Sequence, residues 1–488
     1  MKQIVPGKEN RTLGGGRFEF DPGSLESLQA LRELLGEARI GTLVNLLGVP
    51  GGEGAAIIPA KVLFLLCKVF DQDLKDAARV GAGWLLNVTA LDGRFGLGRS
   101  RELPFESAGT LGVAKSAARE WGDEVHVKCI DLAPALKVGE RVERVLGEWA
   151  AQAPALEVGH DAEGRFELEL GPQPADVEAR PPVLEEDAVV LVTGGAGGIT
   201  AEIAAALGRE YRPQLVLVGR SPLPEEEAED TRAIADPARL KQVLIGKLRG
   251  EGGAKLKPAE VDRVFKRLLK DREIRDNLAR LEATGARVEY HAVDVRDGEA
   301  FGRLIDGIYA RWGRIDGVLH GAGVIDDKLI RDKTLESFSA VYDTKVAGAR
   351  VLAARLRPQG LKFVLFFSSI AGRFGNAGQS DYGAANEVLN KLADSLGHIW
   401  PGVQALAIDW GPWKSGMVGG ADAQVLRGTQ YPPDPTGGRH PSLSGADSAG
   451  RWRRIGTGDH RESRADRRTD AIAQQARIGA PILGTAHG

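Results

Sequence analysis

Residues 188–200 read AVVLVTGGAGGIT, and residues 201–210 continue AEIAAALGRE. An apolar run of strand length ends in Thr193, and glycines follow at 194, 195, 197 and 198 before a segment of helical character begins. Glycines at these places allow a tight turn and let backbone come close to a pyrophosphate, while a helix N-terminus offers free N–H groups and a positive dipole end. Thr193, Gly194, Gly195, Gly197, Gly198 and Ile199 are therefore the candidate phosphate-binding turn of a dinucleotide site.

The same pattern extends outward from this stretch. QLVLVGR (214–220), RVEYHAVDV (287–295), DGVLHGAG (316–323), KFVLFFSS (362–369) and VQALAIDW (403–410) are further apolar runs of strand length, each separated from the next by helix-length sequence. Continuous apolar strands alternating with helices predict a doubly wound α/β unit whose parallel sheet is buried on both faces. Arg220 and Ser221 follow the second strand, where an acidic residue would bind the ribose of NAD. A cation there suits a 2′-phosphate and hence NADP. Asp294 and Val295 close the third strand, where a carboxylate can accept the adenine amino group. Gly321, Ala322 and Gly323 close the fourth and complete the cofactor set. Residues 223–285 read as a charged helical insertion.

The first part of the chain repeats the second in weaker form. DGRFG (92–96) parallels AGRFG (371–375). Downstream, 108–134 parallels 381–412, and upstream 40–51 parallels 315–324. Leu111 then falls where Tyr382 does, Lys115 where Asn386 does, and Ala90 near Ser369. The first copy has no Gly-rich turn. The expected division is a degenerate, truncated unit over 1–180, a catalytic unit over 181–420, and an atypical tail over 421–488. A Pro/Glu-rich linker at 171–187 joins the two units.

Ser369 ends the fifth strand, Tyr382 follows thirteen residues later, and Asn386 lies one helical turn beyond on the same face. Lys345 belongs to the preceding helical segment, YDTKVAGAR. This set suits reduction of a carbonyl. A phenol supplies a proton to the alkoxide, a nearby ammonium lowers the phenol pKa from about 10, and a serine hydroxyl polarises the ketone. Asn386 holds the lysine or a relay water.

Composition excludes several classes. The chain has 488 residues, 43% apolar and 27% charged, with net charge -3, so no basic field points to nucleic acid or an anionic membrane. Two cysteines, Cys67 and Cys129, make neither a disulfide scaffold nor a Cys-based zinc site, and no metal is expected. They suit a reducing cytoplasm. The N-terminus has no apolar h-region, and the most apolar run, near 57–70, is too short to span a bilayer.

TGGAGGIT, LVLVGRS, HGAGVIDDKL, YDTKVAGA, FFSSIAGRFGNAGQSDYGAAN and IDWGPW together resemble the ketoreductase domain of polyketide and polyunsaturated fatty acid synthases, within the short-chain dehydrogenase/reductase superfamily. Most short-chain reductases carry Tyr-x-x-x-Lys. Here Asn386 holds that lysine's place and Lys345 comes from the earlier helix, an exchange that marks the synthase enzymes. The resemblance covers about residues 20–417. It implies two Rossmann-like subdomains, the first a dead structural scaffold, and a catalytic set of Lys345, Ser369, Tyr382 and Asn386. It also implies NADPH as cofactor, carrier-protein-bound β-ketoacyl thioesters as substrate, and other synthase domains as partners. Asp326 and Asp327 after the HxAGV stretch, with Phe374 in place of the A-type tryptophan, imply the (3R)-hydroxy product. Trp410 and Trp413 are expected to wall the nicotinamide and substrate cleft. Met1 lies close to the expected start of the structural subdomain, which leaves open whether the chain is a fragment of a larger synthase that has lost upstream domains.

The tail departs from that family. Residues 421–488 hold ten Arg, no Lys, and only eight Leu, Ile, Val or Phe, far short of a packed core. Disorder and translation out of the natural frame both account for this. The family's lid helix and last core helix and strand are not recognised there. The alternative function is accordingly a catalytically inactive structural or docking fragment of a megasynthase.

Overall fold

The computed structural model describes all residues except 1, 24, 37–38, 50–57, 99–102, 152–154, 169–183, 253–256 and 412–488. The tail and Trp413 lie outside the described residues, as does most of the 171–187 linker.

The first unit opens with β1 (Gln3–Pro6), β2 (Arg11–Gly14) and β3 (Arg17–Phe20), a small sheet in the order β1-β3-β2. No pattern in the sequence marks it. Then come α1 (Leu25–Leu34), β4 (Thr42–Gly48), α2 (Pro59–Ala78), β5 (Trp84–Thr89), α3 (Gly109–Trp121), β6 (His126–Leu132), α4 (Val138–Ala151), β7 (Glu157–His160) and β8 (Arg165–Glu167). Their sheet runs β4-β5-β6-β7-β8, parallel except for the last pair.

The second unit comprises β9 (Val189–Thr193), α5 (Gly198–Tyr211), β10 (Gln214–Gly219), α6 (Glu229–Arg232), α7 (Pro237–Gly252), α8 (Pro258–Glu282), β11 (Arg287–Ala292), α9 (Gly298–Trp312), β12 (Gly317–His320), α10 (Leu335–Arg355), β13 (Phe363–Ser369), α11 (Ile370–Phe374), α12 (Ser380–Ile399) and β14 (Gln404–Trp410). Its sheet is wholly parallel in the order β11-β10-β9-β12-β13-β14. The six apolar runs are these six strands. All five residues of β9 are buried, as expected of a strand covered on both faces. The chain order reverses between β9 and β12, which opens a crevice at their C-terminal ends.

Helix ends follow local chemistry. Asp297 caps α9 through Ala300 N–H, and Gly313 ends that helix at φ 74°. Thr334 caps α10 through Ser337 N–H. By contrast, α5 has Gly197 at its N-cap and no side-chain cap of its own.

The internal repeat is visible in the topology. β4, β5 and β6 occupy the places of β12, β13 and β14, and α3 that of α12. The two like helices cross at glycine. A Cβ on Gly112 would lie 2.4 Å from the Gly383 carbonyl carbon and oxygen. One apolar cluster joins Leu111 and Ala114 of α3 to Phe338 and Tyr342 of α10 and to Ala384 and Val388 of α12. Among the described residues no helix is long and apolar enough to cross a membrane.

Candidate active site

The crevice is built from glycine upward. Gly194 has φ 73°, and a Cβ there would stand 2.9 Å from the Ala322 nitrogen. The β9 turn thus lies directly against the Gly321–Gly323 turn that follows β12. A Cβ on Gly321 would collide with Thr200 Oγ1, and one on Gly323 would press on Lys345 Cε at 3.1 Å. Gly198 has φ 54° and open space where its Cβ would be. This cradle and the start of α5, where Gly197 and Gly198 bring no side chain of their own, fit a dinucleotide pyrophosphate.

His320 ties the cradle to the helix that bears Lys345. Its Nε2 lies 2.9 Å from the Lys345 carbonyl, which only accepts, so Nε2 carries the proton. Its Nδ1, 2.8 Å from Thr193 Oγ1, therefore accepts from that hydroxyl. The hydroxyl oxygen in turn accepts from Ala322 N–H at 3.3 Å. Burial lowers the His320 pKa to about 4, which keeps the ring neutral. Within the HGAG run, spacing alone gives His320 no role.

The four expected catalytic side chains converge. Ser369, the last residue of β13, caps α11, and its Oγ accepts from Ala371 N–H at 3.2 Å. The same Oγ lies 3.4 Å from the Trp410 carbonyl. Tyr382 sits in the first turn of α12. Asn386 donates from Nδ2 to the Tyr382 carbonyl at 2.8 Å, and its buried Oδ1 has no hydrogen-bond partner among the described residues. Lys345 is buried, donates from Nζ to the Phe367 carbonyl at 2.6 Å, and stands 5.4 Å from the Tyr382 ring centroid.

One expectation is corrected here. The phenol of Tyr382 is raised to about 12, not lowered. Burial drives the rise, and hydrogen bonding with Asn386 and Ser369 opposes it. The Lys345 ammonium faces the ring and is held by a backbone carbonyl, so it does not offset that burial. Burial alone lowers Lys345 itself to about 7.

The residues expected around the cofactor are placed unevenly. Arg220 is exposed after β10, and its charge bears on Asp294. The Ser221 carbonyl accepts from the Tyr290 hydroxyl at 2.6 Å. Asp294 lies beyond β11 rather than ending it, because its carboxylate accepts from Arg296 N–H at 3.0 Å and turns the chain. The Arg296 guanidinium pairs with it at 2.6 Å and holds its pKa down. Val295 is buried, with its Cβ 3.1 Å from where a Cβ on Gly348 would be. Ile199 packs partly buried against the apolar cluster behind the sheet.

The stereocontrol candidates are held within the second unit and, at Phe374, by the first unit as well. Asp326 pairs with Lys328 at 2.8 Å and accepts from Ser337 Oγ at 2.6 Å. Asp327 accepts from Gln379 Nε2 at 2.9 Å. The Phe374 carbonyl accepts from Arg119 of α3 at 3.1 Å. Glu120, also on α3, accepts from Ile330 N–H at 2.8 Å and Gly378 N–H at 3.1 Å, which joins the two loops that carry these residues. Buried Lys333 donates to Asp381 at 2.7 Å, beside Tyr382. No sequence signal marks Glu120 or Lys333, since each acts on a segment remote in the chain.

Residues 188–415 match the family described as KR domain. A polyunsaturated fatty acid synthase polypeptide of Thraustochytrium sp. is 31% identical over 382 residues, 74% of this chain and 13% of that protein. Polyketide synthase PksN of Bacillus subtilis is 29% identical over 241 residues, 48% of this chain and 4% of that one. The chain thus spans a small part of the curated relatives it matches, which are multidomain synthases. Among solved structures, A-type ketoreductases from a modular polyketide synthase align with TM-score 0.58 and 25% identity, over 84% of this chain and 77% of theirs. An N-terminal ketoreductase from the macrolactin assembly line shares the fold at TM-score 0.59 and 19% identity, over 86% of this chain and 75% of that one.

Proposed function

Residues 188–415 belong to the KR domain family, and on that footing we propose that this chain is an NADPH-dependent β-ketoacyl reductase working on thioesters tethered to an acyl carrier protein. The observation that carries the proposal is the convergence of Lys345, Ser369, Tyr382 and Asn386 beside a glycine cradle at the sheet's switch point. Thr193–Ile199 and Gly321–Gly323 would hold the dinucleotide, with Arg220 toward the 2′-phosphate and Asp294 and Val295 toward the adenine. That preference for NADPH over NADH is part of the proposal. When bound, the nicotinamide supplies hydride to the ketone carbon.

The chain's own residues handle the oxygen and the proton. Ser369 Oγ accepts from Ala371 N–H, so its hydrogen is free to turn from the Trp410 carbonyl to the ketone oxygen and polarise it. Tyr382 remains protonated at neutral pH and gives its proton to that oxygen as it becomes an alkoxide. Lys345 in its ammonium form stabilises the phenolate left behind. The unpartnered Oδ1 of Asn386 is an acceptor for a relay water or for that ammonium. Asp326, Asp327 and Phe374 set the face of approach and a (3R) product.

The test follows NADPH absorbance with a β-ketoacyl thioester, wild type beside Tyr382→Phe. Loss of the phenol is expected to cost at least about 100-fold in kcat, the scale of general acid catalysis. Cofactor binding without turnover in the folded wild type would transfer the conclusion to the non-catalytic fragment reading. A Tyr382→Phe variant as fast as wild type would remove the assigned proton donor.

A further inference from the structure

The inserted helix α8 reaches the glycine cradle. Lys270, Glu273, Asn277 and Arg280 recur at i, i+3, i+7 and i+10, so they form one stripe along it. That stripe lies along α5. Gly198 N–H, in the first turn of α5, donates to Glu273 Oε1 at 3.1 Å. Asn277 donates to the Ala196 carbonyl at 3.1 Å. Arg280 pairs with Glu202 of α5 at 2.6 Å. Lys270 Nζ is 2.9 Å from Glu273 Oε2. A Cβ built on Gly197 would lie 2.7 Å from Glu273 Oε1 and 2.8 Å from Lys270 Nζ.

The Gly198 contact concerns an amide that the dinucleotide reading assigns to phosphate, and the inference rests on that reading. The start of α5 attracts an anion, and here a carboxylate sits on it with an ammonium as counter-ion. A pyrophosphate cannot share that amide with Glu273, because two anions in contact repel. Its arrival releases Gly198 from Glu273 and leaves Lys270 next to the new negative charge.

We propose that α8 is part of the dinucleotide site. Glu273 occupies the pyrophosphate position in the unliganded protein, and Lys270 changes partner from Glu273 to the pyrophosphate when the dinucleotide binds. The charged insertion thereby contributes both a competitor and a ligand for the cofactor.

The experiment titrates NADPH and NADH by ligand fluorescence into the wild-type chain, Glu273→Gln and Lys270→Met. Both side chains are about half exposed, at 42% and 47%, so neither change threatens the fold. Glu273→Gln is expected to bind NADPH about two- to fivefold tighter, the size of one charge at a helix N-terminus. Lys270→Met is expected to bind it more weakly by a similar factor. Because the assigned partner is the pyrophosphate, Lys270→Met should weaken NADH to the same degree. A loss confined to NADPH would overturn the pyrophosphate assignment. Variants that bind both nucleotides as the wild type does, or a Glu273→Gln that binds more weakly, would overturn the inference while leaving the dinucleotide site intact. A folded wild type that binds neither nucleotide would instead reject the dinucleotide reading itself.

Discussion

Burial moves the two ends of the proposed proton path in opposite directions. Tyr382 is raised to about 12 and stays a proton donor across the physiological range, while Lys345 is lowered to about 7 and loses its charge within it. The basic limb of the reductase profile should therefore report the lysine. kcat/KM for NADPH, which reflects the free protein, is expected to fall about tenfold per pH unit above about 7. Lys345→Arg, permanently charged, should carry the limb upward. A profile flat from pH 6 to 9 would contradict this assignment. His320 makes a separate prediction about stability. Its folded pKa of about 4 lies below the ordinary 6.5, so the unfolded chain takes up this proton first as pH falls. Stability should rise with pH from about 4 to about 6.5 and be lost in the opposite direction, by on the order of 3 kcal/mol from this group. Urea midpoints across that window should slope less in His320→Asn than in wild type; parallel slopes would refute it.

At the scale of elements, α12 matters through what it packs on as much as through the tyrosine it carries. Gly383 follows Tyr382 directly and meets Gly112 of α3 with backbone, not with a side chain that could move aside. Gly112→Ala inserts a methyl group where no rotamer change makes room. The expected cost is about 1–3 kcal/mol, as for other overpacked cores. Because the strain falls next to Tyr382, kcat should drop along with the urea midpoint. An unchanged midpoint with unchanged kcat would show that the crossing relaxes freely. α3 also carries Arg119 and Glu120 to the loops that bear the stereocontrol candidates, so a helix that bears none of the candidate catalytic residues still holds the segments around them.

Across the whole molecule, the first and second units share one apolar cluster and one largely buried ion network. Glu157 of β7 pairs with Arg373 of α11 and lies 3.3 Å from Lys115 of α3, and Lys115 is 3.4 Å from Glu387 of α12. Burial works against the Glu157 carboxylate, but Arg373 and Lys115 outweigh it and hold its pKa at about 2. A carboxylate depressed in this way stabilises the fold above its ordinary value near 4.5, and that contribution fades as pH falls toward 2. Glu157→Ala leaves part-buried Arg373 without the carboxylate it pairs with and buried Lys115 with Glu387 alone, and is expected to cost about 3–5 kcal/mol in chemical denaturation at neutral pH. A cost below about 1 kcal/mol, the value of an exposed pair, would mean that the network is hydrated rather than dry.

Much of this is legible in the chain because it depends on local periodicity and spacing. Apolar runs separated by helices specify β9 to β14, and a Gly-rich turn between strand and helix specifies the cradle. The i, i+4 relation of Tyr382 and Asn386 specifies a common face. The repeat of DGRFG and AGRFG anticipates that α3 stands to the first sheet as α12 stands to the second. The remainder depends on approach between segments far apart in the sequence, and no local pattern encodes that. Gly112 against Gly383, Glu120 on the 330 and 378 loops, and Glu273 on Gly198 each join residues between 75 and 271 positions apart. Electrostatics follows the same division. Residue types alone suggest an ammonium lowering a phenol. The tertiary structure decided otherwise, because it turned the lysine toward the Phe367 carbonyl and buried the phenol, and desolvation then exceeded the hydrogen bonding with Asn386 and Ser369.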